Sequence, residues 1–451
     1  MQVSPARNLA YRILRRVHSG HRFAIDFLQS PPAYRLKEVD RRLATGLVMG
    51  ALRWRGDLDF EIQRLSGKPL EYFDPEIVEI LRLGIYQIRF LSSIPKAAAV
   101  NESVELVKAV RKRSASGLVN AVLRKCQHAP FDVRNLSSGS CEVECFESAC
   151  RSIPQWIRER WEKSFGAEQA KALILATQSV PPLHLRVTGN RFDRRQVQSR
   201  LGEEGVQAQA GALGSRSLRV EKGDLFRTAV WREGRVAIQD EGSQLVAQLL
   251  RPAPGDCVLD LCAAPGIKTS LVADDLNTGI LAACDISLHR MKTLGKLLPH
   301  GLPPGIRLHK ILLDAAQPLP FARKFDRILV DVPCSGTGTL ARNPEIKWRL
   351  RPEDILRLAA LQENILRQGL QSLAPGGRLV YSTCSLEPEE NEGVVSHVLE
   401  KRPEFRTLTT EELAREFPRM ASLFDGYFRT KPGIHGTDGF FATVITRLWG
   451  C

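Results

Sequence analysis

At 451 residues, 43% hydrophobic and 25% charged, the chain can bury a large core and falls outside the disordered class. No stretch approaches the roughly 18–20 uninterrupted apolar residues of a membrane span, and Met1-Gln2-Val3-Ser4 opens no secretory signal, so a cytosolic protein without membrane contact is expected. Lys and Arg outnumber Asp and Glu by 64 to 50; the resulting +14 suits a phosphate-rich partner and concentrates in residues 1–140, with 23 bases against 13 acids, compared with 41 against 37 beyond.

Along residues 5–126 apolar side chains recur at spacings of three and four: Leu9, Ile13 and Val17; Leu43, Leu47 and Leu52; Ile77, Ile80, Leu81, Ile85 and Ile88. Arg12, Arg15 and Arg16, then Arg41 and Arg42, then Arg111, Lys112 and Arg113 occupy the opposite faces. The spacing predicts an all-helical domain, 1–130, with a basic surface. Its segments 83–87, 99–105 and 117–124 resemble the NusB family of RNA-binding helical domains.

Residues 131–151 are polar and poorly periodic, which predicts a linker. Cys141, Cys145 and Cys150 lie there without a Cys-x-x-Cys pair or a nearby His, so no metal site is expected. A small α+β domain, ferredoxin-like in type, is expected over 152–238. It comprises a helical pair (154–165 and 167–178), an alternating strand (182–187), a polar helix to about 204, and strands at 217–220 and 235–238.

From 239 to 451 the texture changes. Apolar runs at 257–261, 279–284, 306–313, 325–330 and 378–381 alternate with helical stretches. A long amphipathic helix over 352–373 would bury Ile355, Leu358, Ile365, Leu366, Leu370 and Leu373 and stop at Pro375-Gly376-Gly377. Strands interleaved with helices predict a doubly wound α/β domain, whose ligands bind at the carboxyl ends of the strands.

Those ends carry the chemistry. The first strand runs into Cys262-Ala263-Ala264-Pro265-Gly266-Ile267-Lys268, whose small residues let backbone approach a ligand closely. Asp285 ends the second strand, where a carboxylate can accept from ribose hydroxyls, and Asp314 ends the third, within reach of an adenine amino group. Strand-end Asp residues also serve as helix N-caps. Two in series beside a Gly/Ala loop point to an adenosine-bearing ligand. The fourth strand leads into Asp331-Val332-Pro333-Cys334-Ser335-Gly336 and the fifth into Ser382-Thr383-Cys384-Ser385. Neighbouring strand ends would bring both thiols and Asp331 over one cleft, where cysteines can act as nucleophiles.

These motifs, with Gln239-Asp240-Glu241-Gly242-Ser243-Gln244 before them and Gly436-Thr437-Asp438-Gly439-Phe440-Phe441 after, resemble the RNA cytosine-5 methyltransferases. With the NusB-like N-terminal domain, the resemblance is to the bacterial 16S ribosomal RNA methyltransferases of the Sun/Fmu-like type. It implies a Rossmann-like class I methyltransferase core with a mostly parallel seven-stranded sheet, S-adenosyl-L-methionine as cofactor, and a monomer acting on naked or early-assembly 16S ribosomal RNA. Position by position, Cys262 to Lys268 would wrap the methionine end of the cofactor, Asp285 its ribose and Asp314 its adenine. Asp331, bordering the cofactor, would contact the cytosine ring edge. Cys384 would be the covalent nucleophile, and Cys334 would assist product release.

A DNA-type cytosine methyltransferase would instead use the Pro-Cys cysteine, Cys334, but has no counterpart to Ser-Thr-Cys-Ser. A transfer RNA target and a non-catalytic RNA-binding assembly or antitermination factor are the alternative readings. Two positions depart from the family pattern. Ile267 stands where a second glycine is usual, and a positive φ there would strain a β-branched residue. Gly242 stands where a helix-favouring alanine is common.

Overall fold

Pro5 and Pro75 stand in the first turns of two helices, where a missing N–H leaves no bond unmade, and Gly67 (φ +68°) ends another in the left-handed conformation. The helices Pro5–Ser19, Glu38–Arg53, Arg55–Ser66, Pro75–Phe90, Lys96–Ala109 and Ser116–His128 gather the predicted apolar positions into one core. Ile13, Val17, Leu47, Leu52, Ile77, Ile80, Leu81, Ile85 and Ile88 are buried in it, and Leu9 and Leu43 pack at its margin. Arg12, Arg16, Arg42, Arg111 and Arg113 are exposed. Arg15 is tied to Glu76 at 2.9 Å and Lys112 to Asp74 at 2.8 Å.

The computed structural model describes residues 3–20, 22–128, 142–189, 192–298 and 302–449. The chain divides into two compact units, Met1–Val180 with Leu340–Arg349, and Pro181–Thr339 with Leu350–Cys451.

Within the first unit the expected linker 131–151 needs correction. Its first part, 131–141, lies outside the described residues, but Glu142–Arg151 is a helix. Cys145 and Ala149 are buried on one side of it, and Arg151 Nε donates to Asp57 Oδ1 at 2.8 Å. The polar composition masked an amphipathic turn pattern. The helices Gln155–Phe165 and Ala167–Gln178, with which the middle domain is expected to open, fall within the first compact unit, where Ile157, Trp161, Leu173 and Ile174 are buried. Leu340–Arg349 completes the unit from far along the chain. Lys347 is fully buried and donates to the Arg53 carbonyl at 2.9 Å, while Trp348 Nε1 donates to Leu52 O at 3.2 Å. Burial, helped by Arg53, holds the Lys347 amine well below the ordinary lysine value, so a carbonyl partner suffices without a counter-charge.

The second unit contains two sheets. Strands β1 (Leu183–Val187), β2 (Gln207–Ala210), β3 (Ser217–Lys222) and β4 (Val236–Ile238) form an antiparallel sheet in the order β2-β3-β1-β4. The helix Arg194–Glu203, capped by Asp193, lays Val197 and Leu201 on its core. Edge strand β2 was not anticipated: Gln207-Ala208-Gln209-Ala210 is mostly exposed and carries no apolar alternation.

The larger sheet contains β5 (Cys257–Asp260), β6 (Thr278–Asp285), β7 (Gly305–Leu312), β8 (Phe325–Asp331), β9 (Leu373–Thr383), β10 (Phe405–Thr407), β11 (Phe424–Asp425), β12 (Tyr427–Thr430) and β13 (Phe440–Arg447). Its order is β11-β12-β13-β9-β8-β5-β6-β7, with β10 beside β13. The two short strands β10 and β11 raise the count from the expected seven to nine. The stretch β7-β6-β5-β8-β9 is parallel, and β13 closes it antiparallel to β9, giving the Rossmann-like core. The helix Pro352–Ser372 buries Ile355, Ala359, Ile365, Leu366 and Leu370; Leu358 is only half-buried. The chain moves from β5 outward to β7 and then returns to β8 on the other side of β5. This reversal opens a crevice at the carboxyl ends of β5 and β8. Among the described residues no helix is long and apolar enough to cross a membrane.

Candidate active site

β5 ends at Asp260, and the following loop turns into the helix Ile267–Leu276 through Gly266, whose φ is +106°. A side chain at Gly266 would press on Leu294, with Cβ 2.9 Å from its Cγ. Ile267 is the first helical residue and is not among the positive-φ positions, so the strain anticipated there does not arise. The need for glycine falls one residue earlier. Asp260 accepts from Thr269 Oγ1 at 2.8 Å through Oδ2, while Oδ1 is buried and accepts no well-formed hydrogen bond. Burial pushes this carboxyl up to about 7. The thiol of Cys262, half-buried near Asp260 and Asp331, is pushed well above the ordinary cysteine value by desolvation and by those carboxylates, and stays protonated.

Asp285, at the end of β6, is buried and accepts from Ala264 N at 3.2 Å and Ser287 N at 2.8 Å. It is thereby fastened to the glycine loop. Asp314 lies beyond the end of β7, is exposed, and accepts from Ala316 N at 3.0 Å. Both strand-end acids make the local turn contacts typical of caps, and only Asp285 touches the loop. Ile286, which sequence reasoning passed over, leaves an apolar side chain 66% exposed directly after Asp285. A loop with no space for a side chain at Gly266 and a buried strand-end carboxylate at Asp285 fit an amino-acid nucleoside such as the implied cofactor.

Asp331, at the end of β8, is fixed from two sides: Lys268 Nζ donates to Oδ2 at 2.8 Å, and Ser382 Oγ to Oδ1 at 2.8 Å. Burial opposes the charge on Lys268, but Asp331 outweighs it and holds the ammonium above its ordinary value. The ammonium also sits 5.2 Å from the centre of the Phe440 ring.

The two cysteines meet as anticipated. Cys334 Sγ lies 3.2 Å from Cys384 Sγ, and Cys384 N donates to Cys334 Sγ at 3.2 Å. The hydrogen bond with Cys384, together with burial, pushes the Cys334 thiol well above its usual value, so it keeps its proton at neutral pH. Gly338 N donates to Cys384 O at 2.9 Å, and Gly439 N to Gly338 O at 2.8 Å. A Cβ on Gly338 would fall 2.2 Å from Gly439 O, which explains the glycines in both motifs.

Other motif residues are scaffold. Asp240 caps the helix Glu241–Gln248 through Gly242 N at 2.9 Å and accepts from Thr437 Oγ1 at 2.6 Å, joining the first and last motifs. Glu390 was missed altogether; nothing local distinguishes it from Glu387, Glu389 or Glu392. Cys145 and Cys150 are free thiols, Cys141 lies outside the described residues, and no described group of three acids, histidines or cysteines is arranged to hold a metal.

Comparison with known proteins covers the same ground. The family described as "16S rRNA methyltransferase RsmB/F" matches residues 247–446, the NusB family matches 4–128, and an RsmF/B-like ferredoxin-like domain family matches 153–224. The chain is 32% identical over 460 residues to "Probable ribosomal RNA small subunit methyltransferase B" of Bacillus subtilis, covering 99% of this chain and 100% of that one. It is 32% identical over 415 residues to ribosomal RNA small subunit methyltransferase B of Vibrio cholerae, covering 91% of each. The crystal structure of PH0851 shares the fold over 99% of this chain and 100% of its own, with a TM-score of 0.78 at 23% identity.

Proposed function

The chain belongs to the RsmB/F family of 16S ribosomal RNA methyltransferases, and from that membership we propose that it methylates C5 of a cytosine in small-subunit ribosomal RNA through a covalent bond from Cys384 to C6. The observation that carries this reading is the thiol pair, 3.2 Å apart, beside a carboxylate held by Lys268 and Ser382.

C5 of cytosine is too electron-poor to take a methyl group directly. Addition of the Cys384 sulfur to C6 makes C5 enamine-like, and Asp331 at the N3/N4 edge stabilises the change in charge across the ring. Lys268 and Ser382 fix the Asp331 carboxylate before substrate arrives, so no reorganisation is spent on it during reaction. Cys262, Ala263, Ala264, Pro265, Gly266, Ile267 and Lys268 would hold the methionine end of S-adenosyl-L-methionine, Asp285 its ribose and Asp314 its adenine, and the chemistry supplied when it is bound is an electrophilic methyl group. Once C5 carries the methyl group, its proton passes to solvent water, and the electron pair left behind forms the C5=C6 bond as the C6–S bond breaks. The retained proton of Cys334, donated toward the Cys384 sulfur, makes that sulfur a better leaving group. A stacked base cannot reach the pair, so the target cytosine is looped out or flipped.

The division of labour we propose places RNA grip in the NusB-like helices of 1–130, further RNA contact in 152–238, and chemistry in 239–451, with the enzyme acting as a cytoplasmic monomer on naked or early-assembly RNA. The test is the pair of single variants on 16S RNA. Cys384→Ala is expected to abolish transfer, and Cys334→Ala to accumulate a denaturation-resistant protein–RNA adduct. Adducts formed through Cys334 would overturn the assignment. Methylation of transfer RNA in preference to 16S RNA, or failure to bind cofactor in calorimetry, would favour the alternative readings.

A further inference from the structure

Two loops carry the cysteines, one after β8 and one after β9, and the residue following each cysteine is a serine. Both serines converge on one carboxylate. Ser335 N donates to Glu390 Oε1 at 2.8 Å, and Ser385 Oγ donates to Glu390 Oε2 at 2.6 Å. The two hydroxyls touch each other at 2.9 Å. Gln362 Nε2 donates to the same Oε1 at 2.8 Å and to Pro333 O at 2.9 Å, reaching the Cys334 loop from the long helix. Tyr381 OH donates to the Glu390 carbonyl at 2.6 Å, pinning the glutamate's own backbone to β9. Glu390 is fully buried and has no cationic partner among these contacts; all of its donors are neutral.

A buried carboxylate held only by neutral donors is costly unless every bond is made, so its position is sharply defined. Here those bonds span both cysteine loops, with Gln362 of the long helix joining them. We propose that Glu390 is a positioning residue that clamps the Cys334 and Cys384 loops together and thereby sets the separation of the two thiols. It touches neither thiol and would not touch RNA. The inference rests on the proposed two-cysteine reaction for its functional meaning, but the spacing itself can be measured without methyl transfer.

Phenylarsine oxide is the probe. Its arsenic forms two As–S bonds with a close dithiol, and the oxygen leaves with the two thiol protons as water. The full-length protein is expected to take up one equivalent tightly, and Cys334→Ala to lose that site. Glu390→Gln keeps the reach but removes one acceptor, and it is expected to weaken arsenical binding and lower kcat by about tenfold each, with KM for RNA and cofactor affinity within about twofold. Glu390→Asp keeps the charge but cannot span both loops, and falls further on both readouts. Should Glu390→Gln fail to fold, Ser385→Ala leaves the Ser335 and Gln362 bonds to Glu390 in place while removing the Ser385 hydroxyl's bond to Glu390 and its contacts with Ser335 Oγ and Glu387 N, and it is expected to shift the same two readouts.

A folded Glu390→Gln protein with unchanged arsenical affinity overturns the clamp, whatever its activity. Weakened arsenical binding in Glu390→Gln, where the unaltered protein methylates no cytosine at C5, leaves the clamp standing and overturns the proposed reaction instead.

Discussion

Lys268 Nζ donates to Asp331 Oδ2 at 2.8 Å, joining the first residues of the glycine-loop helix to the carboxylate at the end of β8. The contact couples the loop expected to hold the cofactor to the group expected to meet the base. Replacing Lys268 by Met removes a charge-assisted bond while keeping the aliphatic stem, so Asp331 is left oriented by Ser382 alone. A fall of about 10- to 100-fold in single-turnover methylation is expected, read with saturating RNA and cofactor. An unchanged rate would show that Ser382 suffices.

Asp260 makes stability depend on pH. Its carboxyl sits at about 7 in the folded chain, pushed up by burial from the ordinary 3.8. The folded state therefore holds the proton more tightly than the unfolded state. The resulting stabilisation is complete below about pH 4 and is lost as pH rises through 7. Full ionisation costs on the order of 4 kcal/mol. Urea unfolding of the cofactor-free protein is expected to show a stability that declines from pH 4 to 7 and levels above it, and Asp260→Asn to flatten that decline.

Gly242 reverses a propensity argument. Alanine would favour the helix Glu241–Gln248 by about 1 kcal/mol. However, a Cβ there would lie 2.7 Å from both Phe440 Cδ2 and Thr437 Oγ1. Overpacking of this kind costs about 1–3 kcal/mol, so Gly242→Ala is expected to bring no gain and to destabilise by up to about 2 kcal/mol in chemical unfolding.

The exposed bases of the helical unit give a salt test. Neutralising Arg12, Arg16, Arg111 and Arg113 to Gln removes charges that are exposed at the surface. Each one that meets a phosphate is expected to reduce the slope of log affinity against log salt by about 0.7–0.9. Cofactor affinity, read by calorimetry, is expected to stay unchanged. An unaltered slope would place the RNA elsewhere.

What the sequence disclosed follows from what periodicity and turn chemistry can report. Cys334, Cys384 and Asp331 were legible because each stands in a turn directly after an apolar run, and parallel strand ends converge. The helices of residues 5–126 were legible because their apolar spacing is regular. Glu390 was not, since its role exists only once two loops meet over it. The helix Glu142–Arg151 hid behind a polar composition, and the fit of Gly242 depends on Phe440 and Thr437, almost two hundred residues away. Whether Ile267 would be strained could not be read from the chain, because one residue decides where the positive φ falls.

Leu340–Arg349 carries a consequence for synthesis. The fully buried Lys347 and its neighbour Trp348 are bonded to carbonyls of Arg53 and Leu52, so the helical unit is not complete when residue 180 has been made. At roughly 5–20 residues per second, the ribosome needs about 8 to 34 s more to reach residue 349. During that interval the nascent helices wait with an open flank while the strands that bear Asp260, Asp285 and Asp331 emerge behind them. The order of translation thus makes the amino-terminal unit the first to begin folding and among the last to finish.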